Sequence, residues 1–153
     1  MPADPAKQTP AQIIAQAESA HPATLYFLAT KLMGEGRMDE AVRWFYIGQL
    51  RYRFHLASRP ATLANDQPLF SALSESVGRP INEYAFGDVD AAVAEIDAAL
   101  AWDAAHPNGF TSKERYSSEL AEVRAGLQKL RDDMVARKDQ IRETRTRNGL
   151  ANR

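Results

Sequence analysis

The chain has 153 residues, of which 44% are apolar and 25% charged, and its formal net charge is −1. This length is enough for one domain with its own buried core. The chain has no cysteine, which excludes disulfide bonds, a thiol nucleophile and cysteine-ligated metal sites. No apolar run is long enough to span a bilayer, and the near-neutral charge disfavours nucleic acid as a partner. The first residues lack an apolar signal core, so we expect a cytoplasmic protein.

The charge is uneven along the chain. Residues 60–109 hold eight carboxylates against the single Arg79, whereas the segments 31–59 and 110–153 are both basic. Two interpretations are open: either the acidic and basic segments lie against each other in the fold, or a charged patch steers a partner.

Proline, glycine and N-cap residues divide the chain into helices, and no pair of alternating β-branched runs indicates a hairpin of strands. We predict an all-α fold with one compact helical domain over residues 1–153, whose ends, 1–9 and 146–153, are flexible. Thr9, Asp39, Asp88 and Thr111 are the predicted caps. The predicted helices are 10–20, 22–34, 39–58, 68–76, 81–85, 88–105 and 111–145.

The last two helices have the spacing of an antiparallel helical hairpin. Apolar residues recur at steps of three and four on both arms, on either side of a turn at 106–109. These residues are Val89, Val93, Ile96 and Leu100 on the first arm and Tyr116, Leu120, Val123, Leu127, Leu130, Met134 and Ile141 on the second. The second arm is longer, so its end must cover another part of the domain or meet a partner.

Residues 22–57 carry a second pattern. Leu25, Leu28, Ala29 and Leu32 line one helix, Gly36 lies in a turn, and Ala41, Phe45 and Gly48 line the next helix. This segment resembles one helix–turn–helix unit of the tetratricopeptide or Sel1-like repeat, with a weak echo at 87–100. The resemblance implies a scaffold for protein–protein interaction and names no ligand.

The helix predicted at 39–58 is apolar on two sides. Ile47, Leu50 and Phe54 form a stripe opposite the repeat-like face, which means that the helix either is central to the domain or has a second interface, with a partner or in a homodimer.

Between the two faces, Trp44, Arg51 and His55 share one edge, and Tyr46 and Arg53 lie on the other. Aromatic and arginine side chains are typical of binding sites, and Arg51 with His55 could receive a carboxylate or phosphate. Packing of Trp44 under a neighbouring helix, with the arginines paired to the acidic segment, is the alternative.

Catalytic and metal-binding motifs are missing. His55 has no histidine three or four residues away, and phosphate-loop, dinucleotide-binding and nucleophile-elbow patterns are absent. We predict no metal, no cofactor and no enzymatic activity. The sequence favours a protein–protein interaction module. One specific version is an immunity or inhibitor protein that binds a toxin, and the module could also form a homodimer. The alternative is a domain that binds a small molecule or an anion.

Overall fold

A computed structural model describes residues 4–58 and 66–153. In these residues the fold is all-α, as predicted, with eight α-helices, one short 3₁₀ turn and no strand. After the 3₁₀ turn Pro5–Lys7, the helices are α1 (Pro10–Ala15), α2 (Pro22–Gly34), α3 (Met38–Ser58), α4 (Asp66–Ser76), α5 (Gly78–Ala85), α6 (Val89–Ala105), α7 (Ser117–Ala136) and α8 (Lys138–Arg147). Every helix of these residues is too short or too polar to cross a membrane.

Helix α3 is the centre of the domain. It has 21 residues, a length of about 31 Å, and it packs against α2, α5, α6 and α7. Gly48 allows α2 to approach closely, because a Cβ atom there would lie 3.0 Å from the Tyr26 ring and 3.1 Å from Leu25 Cβ. Ile47, Leu50 and Phe54 are at most 1% exposed. Of the two interpretations of this stripe, its burial favours the central position of the helix over a second interface at Ile47, Leu50 and Phe54.

Ion pairs join the acidic segment to its basic neighbours. Glu95 of α6 pairs with Arg43 of α3 at 3.0 Å. Asp97 pairs with Arg131 at 2.9 Å, and Asp90 with Lys138 at 2.7 Å. Asp103 pairs with Arg124 and Asp97 with Arg131, so α6 and α7 run antiparallel. The uneven charge of the sequence is therefore largely paired within the fold.

The predicted bounds of the last helix, 111–145, are wrong at both ends, because the structure has two helices there. Helix α7 starts at Ser117, and the Asn108 side chain holds residues 108–111 in a turn by accepting hydrogen bonds from the backbone of Phe110 and Thr111. Within the described residues the Thr111 hydroxyl has no hydrogen-bond partner, and the Ser112 hydroxyl instead accepts from the Arg115 N–H at 3.1 Å. The capping role of Thr111 is therefore wrong. At Arg137, where the apolar pattern is interrupted, the helix breaks, and α8 begins with Lys138.

The break directs α8 across α5, so the longer second arm covers another part of the same domain. Residues 148–153, expected to be flexible, fold back along α8: the Arg153 backbone N–H donates to the Gly87 carbonyl at 2.7 Å, and the Arg153 guanidinium lies 3.6 Å from the centre of the Tyr84 ring.

Other boundaries moved by a few residues. Helix α1 ends at Ala15, earlier than predicted, and α3 begins at Met38, which places Asp39 inside the first turn rather than at the cap. Helices α4 and α5 each start two or three residues before the predicted position. The predicted helix stop at residues 59–60 lies outside the described residues. So do residues 1–3, the first part of the N-terminus that we expect to be flexible.

Candidate functional site

Trp44 and Arg51 of the predicted binding edge meet around Trp102 of α6. Trp44 is 5% exposed and packs edge-on against the Trp102 ring, with 5.2 Å between ring centroids. The Arg51 guanidinium carbon lies 4.7 Å from the centre of the same ring. Trp44 is thus packed under a neighbouring helix, as the alternative interpretation expected.

Arg51 belongs to a buried polar cluster centred on Asp103, which we call the Arg51–Asp103 cluster (Arg51, Asp103, Lys113 and Arg124). Arg51 Nε donates to Asp103 Oδ1 at 3.1 Å, and Arg124 donates to Asp103 Oδ2 at 2.7 Å. Lys113 Nζ lies 3.9 Å from Oδ2. One carboxylate, 1% exposed, thus faces three cationic side chains.

Backbone carbonyls accept from three of the four remaining N–H groups of Arg51. Its two terminal nitrogens donate to the carbonyl oxygens of Glu18, His106 and Pro107 at 3.4, 3.2 and 3.1 Å. Burial lowers the pKa of Arg51, although Asp103 opposes the shift. The cluster ties α3 to the connection between α1 and α2 and to the turn after α6, and its geometry is that of a structural element rather than of an open anion receptor.

His55 does not join Arg51 but lies in a separate group, the histidine cluster (His21, His55 and Asp66). His55 Nε2 is 2.9 Å from Asp66 Oδ2, and His21 Nε2 is 3.4 Å from Asp66 Oδ1. The Ala23 backbone N–H donates to His21 Nδ1 at 3.0 Å and caps α2. A neutral His21 ring therefore carries its proton on Nε2, facing the carboxylate.

Burial and ring contacts fix the two imidazoles. The Phe110 ring lies 4.9 Å from the His21 ring and 4.8 Å from the His55 ring, between centroids. Burial lowers the pKa of His21, and the hydrogen bond from His55, with His21 nearby, lowers the pKa of Asp66. His55 is 6% exposed, whereas His21 and Phe110 line an open cleft of about 800 Å³ next to α1 and α2. The histidine cluster is thus reachable from solvent through His21.

The other two predicted binding residues lie on separate sides of α3. Tyr46 is 1% exposed, and its hydroxyl donates to Asn82 Oδ1 of α5 at 2.6 Å. Arg53 is exposed, and its guanidinium carbon lies 5.4 Å from the centre of the Phe70 ring. The five predicted residues therefore do not converge on one site.

Arg53 and Leu50 line a groove between α3, α4 and α7, which we call the α3–α4–α7 groove. Its volume is about 620 Å³. The apolar side chains of the groove are Leu50, Leu56, Phe70, Val123, Leu127 and Leu130, and its polar ones are Gln49, Arg53, Gln67 and Glu122.

A second pocket, of about 520 Å³, lies between α5 and α8. Three arginines, Arg79, Arg137 and Arg145, line it together with Glu83 and an apolar group formed by Phe86, Ile141 and Leu150. Arg145 is 9% exposed and donates to the Ala151 carbonyl from two nitrogens. Within residues 4–58 and 66–153, no carboxylate is at ion-pair distance from its guanidinium.

The histidine cluster was missed because its members are far apart in the sequence. His21 lies 34 residues before His55, and Asp66 lies 11 residues after it. The spacing of helical metal pairs therefore does not join them. His21 has the position of a helix cap, which it also is. No signal in one sequence combines the three residues.

A comparison with known proteins finds a similar bacterial protein. The chain is 30% identical over 118 residues to an uncharacterized protein of Haemophilus influenzae, a match that covers 76% of this chain and 46% of the relative. The chain therefore spans about half the length of the curated relative it matches. No family model matches the chain, and no solved structure matches it. The resemblance to a tetratricopeptide or Sel1-like unit stays a prediction.

Proposed function

We propose that this chain is a protein-interaction module that binds an amphipathic helix of a partner protein in the α3–α4–α7 groove. The observation that carries the proposal is the set of apolar side chains in this groove. Leu56, Phe70, Val123 and Leu130 are each only partly buried, although they lie side by side. Adjacent apolar side chains that keep contact with water are typical of interaction sites.

The shape of the groove favours a helix as the bound segment. Val123, Leu127 and Leu130 follow one row along α7, over about 10 Å at 1.5 Å per residue. A row of this length matches about two turns of a bound helix whose apolar residues are spaced three and four apart.

The charged residues of the groove predict the orientation of the bound helix. Arg53 of α3 and Glu122 of α7 lie on different walls of the groove. We expect the partner helix to present a carboxylate toward Arg53 and a basic residue toward Glu122, because opposite charges across an interface select the orientation of binding.

Site-specific photo-crosslinking in the native host tests the proposal. A photoreactive phenylalanine analogue replaces Val123 in the groove or, as the matched control, Val135, which is 50% exposed on the same helix and outside the groove. We expect one protein to crosslink from position 123 and not from position 135. Mass spectrometry should place the crosslink on an amphipathic helix.

A synthetic peptide of the crosslinked segment then completes the test. Val123→Asp should weaken its binding by roughly tenfold or more, because a carboxylate would be buried against an apolar helix, while Val135→Asp should leave binding unchanged. Equal crosslinking from both positions, or equal binding by both variants, would contradict the proposal.

The narrower idea of an immunity or inhibitor protein rested partly on the uneven charge. Because ion pairs within the fold account for much of that charge, we do not base the partner's identity on it. A non-enzymatic role, a homodimer and a cytoplasmic location remain predictions. Light scattering coupled to size exclusion tests the homodimer.

A second candidate function, anion binding, is favoured by the pocket between α5 and α8 rather than by Arg51. Arg145, nearly buried and without a carboxylate partner in the described part of the chain, lies beside an apolar wall. This combination suits an organic anion with an apolar body. Decanoate should raise the melting temperature more than decanol does. Arg137→Gln should remove the difference, and Arg147→Gln, on the same helix but not in the pocket, should keep it.

A further inference from the structure

We infer that His21, His55 and Asp66 form a binding site for one divalent first-row transition-metal ion, such as Zn²⁺ or Co²⁺. The inference is independent of the groove and of the proposed protein partner. It rests on the geometry of three side chains, on their chemistry and on the cleft beside them.

The three ligand atoms, one from each side chain, already lie close together. All of them are within 4.8 Å of one another, and the two distances to the Asp66 carboxylate are 2.9 and 3.4 Å. Atoms that bind one tetrahedral ion at about 2.1 Å lie roughly 3.4 Å apart. For all three atoms to bind one ion, the two that are farthest apart must move closer together, and this is the main rearrangement required.

The donor set selects the class of ion. Two imidazole nitrogens and one carboxylate oxygen suit zinc, iron, cobalt or nickel, whereas Mg²⁺ and Ca²⁺ prefer oxygen ligands throughout. With two neutral imidazoles and one carboxylate, a divalent ion keeps a positive charge and open coordination positions. Of the three ligands, His21 lines the cleft next to α1 and α2, through which water or an anion could reach a bound ion.

The surrounding residues hold the donors in place before an ion arrives. The Tyr52 hydroxyl donates to the Asp66 backbone carbonyl at 3.2 Å, and the Ser58 hydroxyl donates to the His55 carbonyl at 2.7 Å. The Phe110 ring touches both imidazoles. Such contacts of the ligands with their neighbours preserve ring orientation at metal sites.

Binding requires a tautomer change at both histidines, because each Nε2 atom faces the Asp66 carboxylate and carries its proton there. In each ring the proton on Nε2 moves to Nδ1, which leaves Nε2 free to bind the ion and releases no proton overall. Nδ1 of His21 then no longer accepts the hydrogen bond of the Ala23 N–H. The loss of one capping bond is small beside the formation of metal–ligand bonds.

Titration of the full, untagged chain with metal alone tests the inference. After treatment with EDTA and its removal at pH 7.5, Zn²⁺ is followed by calorimetry and Co²⁺ by its visible absorption. We expect one ion per chain. Asp66→Asn and His55→Gln should each weaken binding by roughly tenfold or more. His106→Gln should leave binding unchanged, because His106 stacks on Trp102 outside the cluster.

A measurement on the unmutated chain keeps the test valid where a variant fails to fold. In ¹H–¹⁵N spectra of the imidazole nitrogens, Zn²⁺ should shift the Nε2 signals of His21 and His55 and leave those of His106 in place. The inference is overturned if no ion binds, if several ions bind weakly, if His106→Gln weakens binding as much as the cluster variants do, or if the signals of His21 and His55 do not move.

Discussion

The Arg51–Asp103 cluster and the histidine cluster both use the last two turns of α3, and both join basic side chains to one carboxylate. They differ in access. Asp103 and Arg51 are 1% and 3% exposed, and backbone carbonyls occupy most donors of Arg51. In the histidine cluster, about a third of the His21 side chain and a quarter of the Asp66 side chain are exposed. The first arrangement is closed and the second can accept a ligand.

The comparison shows why residue type alone does not identify a binding site. Arg51 and His55 are one helical turn apart, and the sequence suggested a shared anion site. The contacts of neighbouring helices assign Arg51 to the closed Asp103 cluster and His55 to a separate cluster, in which His21 lines a cleft. Three substitutions test this difference, beginning with the one that should destabilise the protein most.

Asp103→Asn should destabilise the protein by about 3 kcal/mol, because three cationic side chains would lose the carboxylate that they share in the interior. Urea unfolding followed by circular dichroism measures the loss. The matched control is Asp97→Asn on the same helix, whose carboxylate pairs with Arg131 at the surface and whose loss should cost less than about 1 kcal/mol. Similar values for the two variants would contradict a closed, structural Arg51–Asp103 cluster.

Gly48→Ala should destabilise the protein by about 1–2 kcal/mol, since the added Cβ atom would meet the Tyr26 ring and Leu25 at 3.0 to 3.1 Å. Both clusters depend on this close approach, because α3 must meet the residues around the start of α2. Gly126→Ala on α7 is the control: nothing lies within 4 Å of its Cβ position, and alanine should stabilise the helix by up to about 1 kcal/mol. Thermal unfolding of the two variants should therefore shift in opposite directions.

His21→Ala should destabilise the protein by about 1 kcal/mol in the absence of metal, because the Ala23 N–H loses its acceptor at the start of α2. His21→Asn should cost much less, since asparagine is a good N-cap residue. Chemical unfolding in EDTA gives the two values. If both variants lose the same stability, the cap is not the main contribution of His21 to the free energy of unfolding. Its contacts with Asp66 and Phe110 would then contribute more.

The sequence predicted the α2–α3 hairpin more closely than it predicted the last helix. In the hairpin, Pro22 and the Gly34–Gly36 turn act locally, and Gly36 has the positive φ of 77° that the turn requires. At residues 108–117, Ser112 rather than Thr111 accepts from the Arg115 N–H, at 3.1 Å. Lys113 donates to the His106 carbonyl at 2.8 Å, a contact with the end of α6 that a local capping pattern does not include.

By itself, the sequence determined the all-α class, most helix boundaries and the antiparallel pairing of α6 with α7, because helix signals and apolar spacing act within a few turns of the chain. Tertiary structure alone decided which polar side chains meet. His21, His55 and Asp66 come together from the starts of α2 and α4 and the end of α3, and Arg51 finds Asp103 on α6. Packing of helices against one another sets such distances, and no local pattern encodes them.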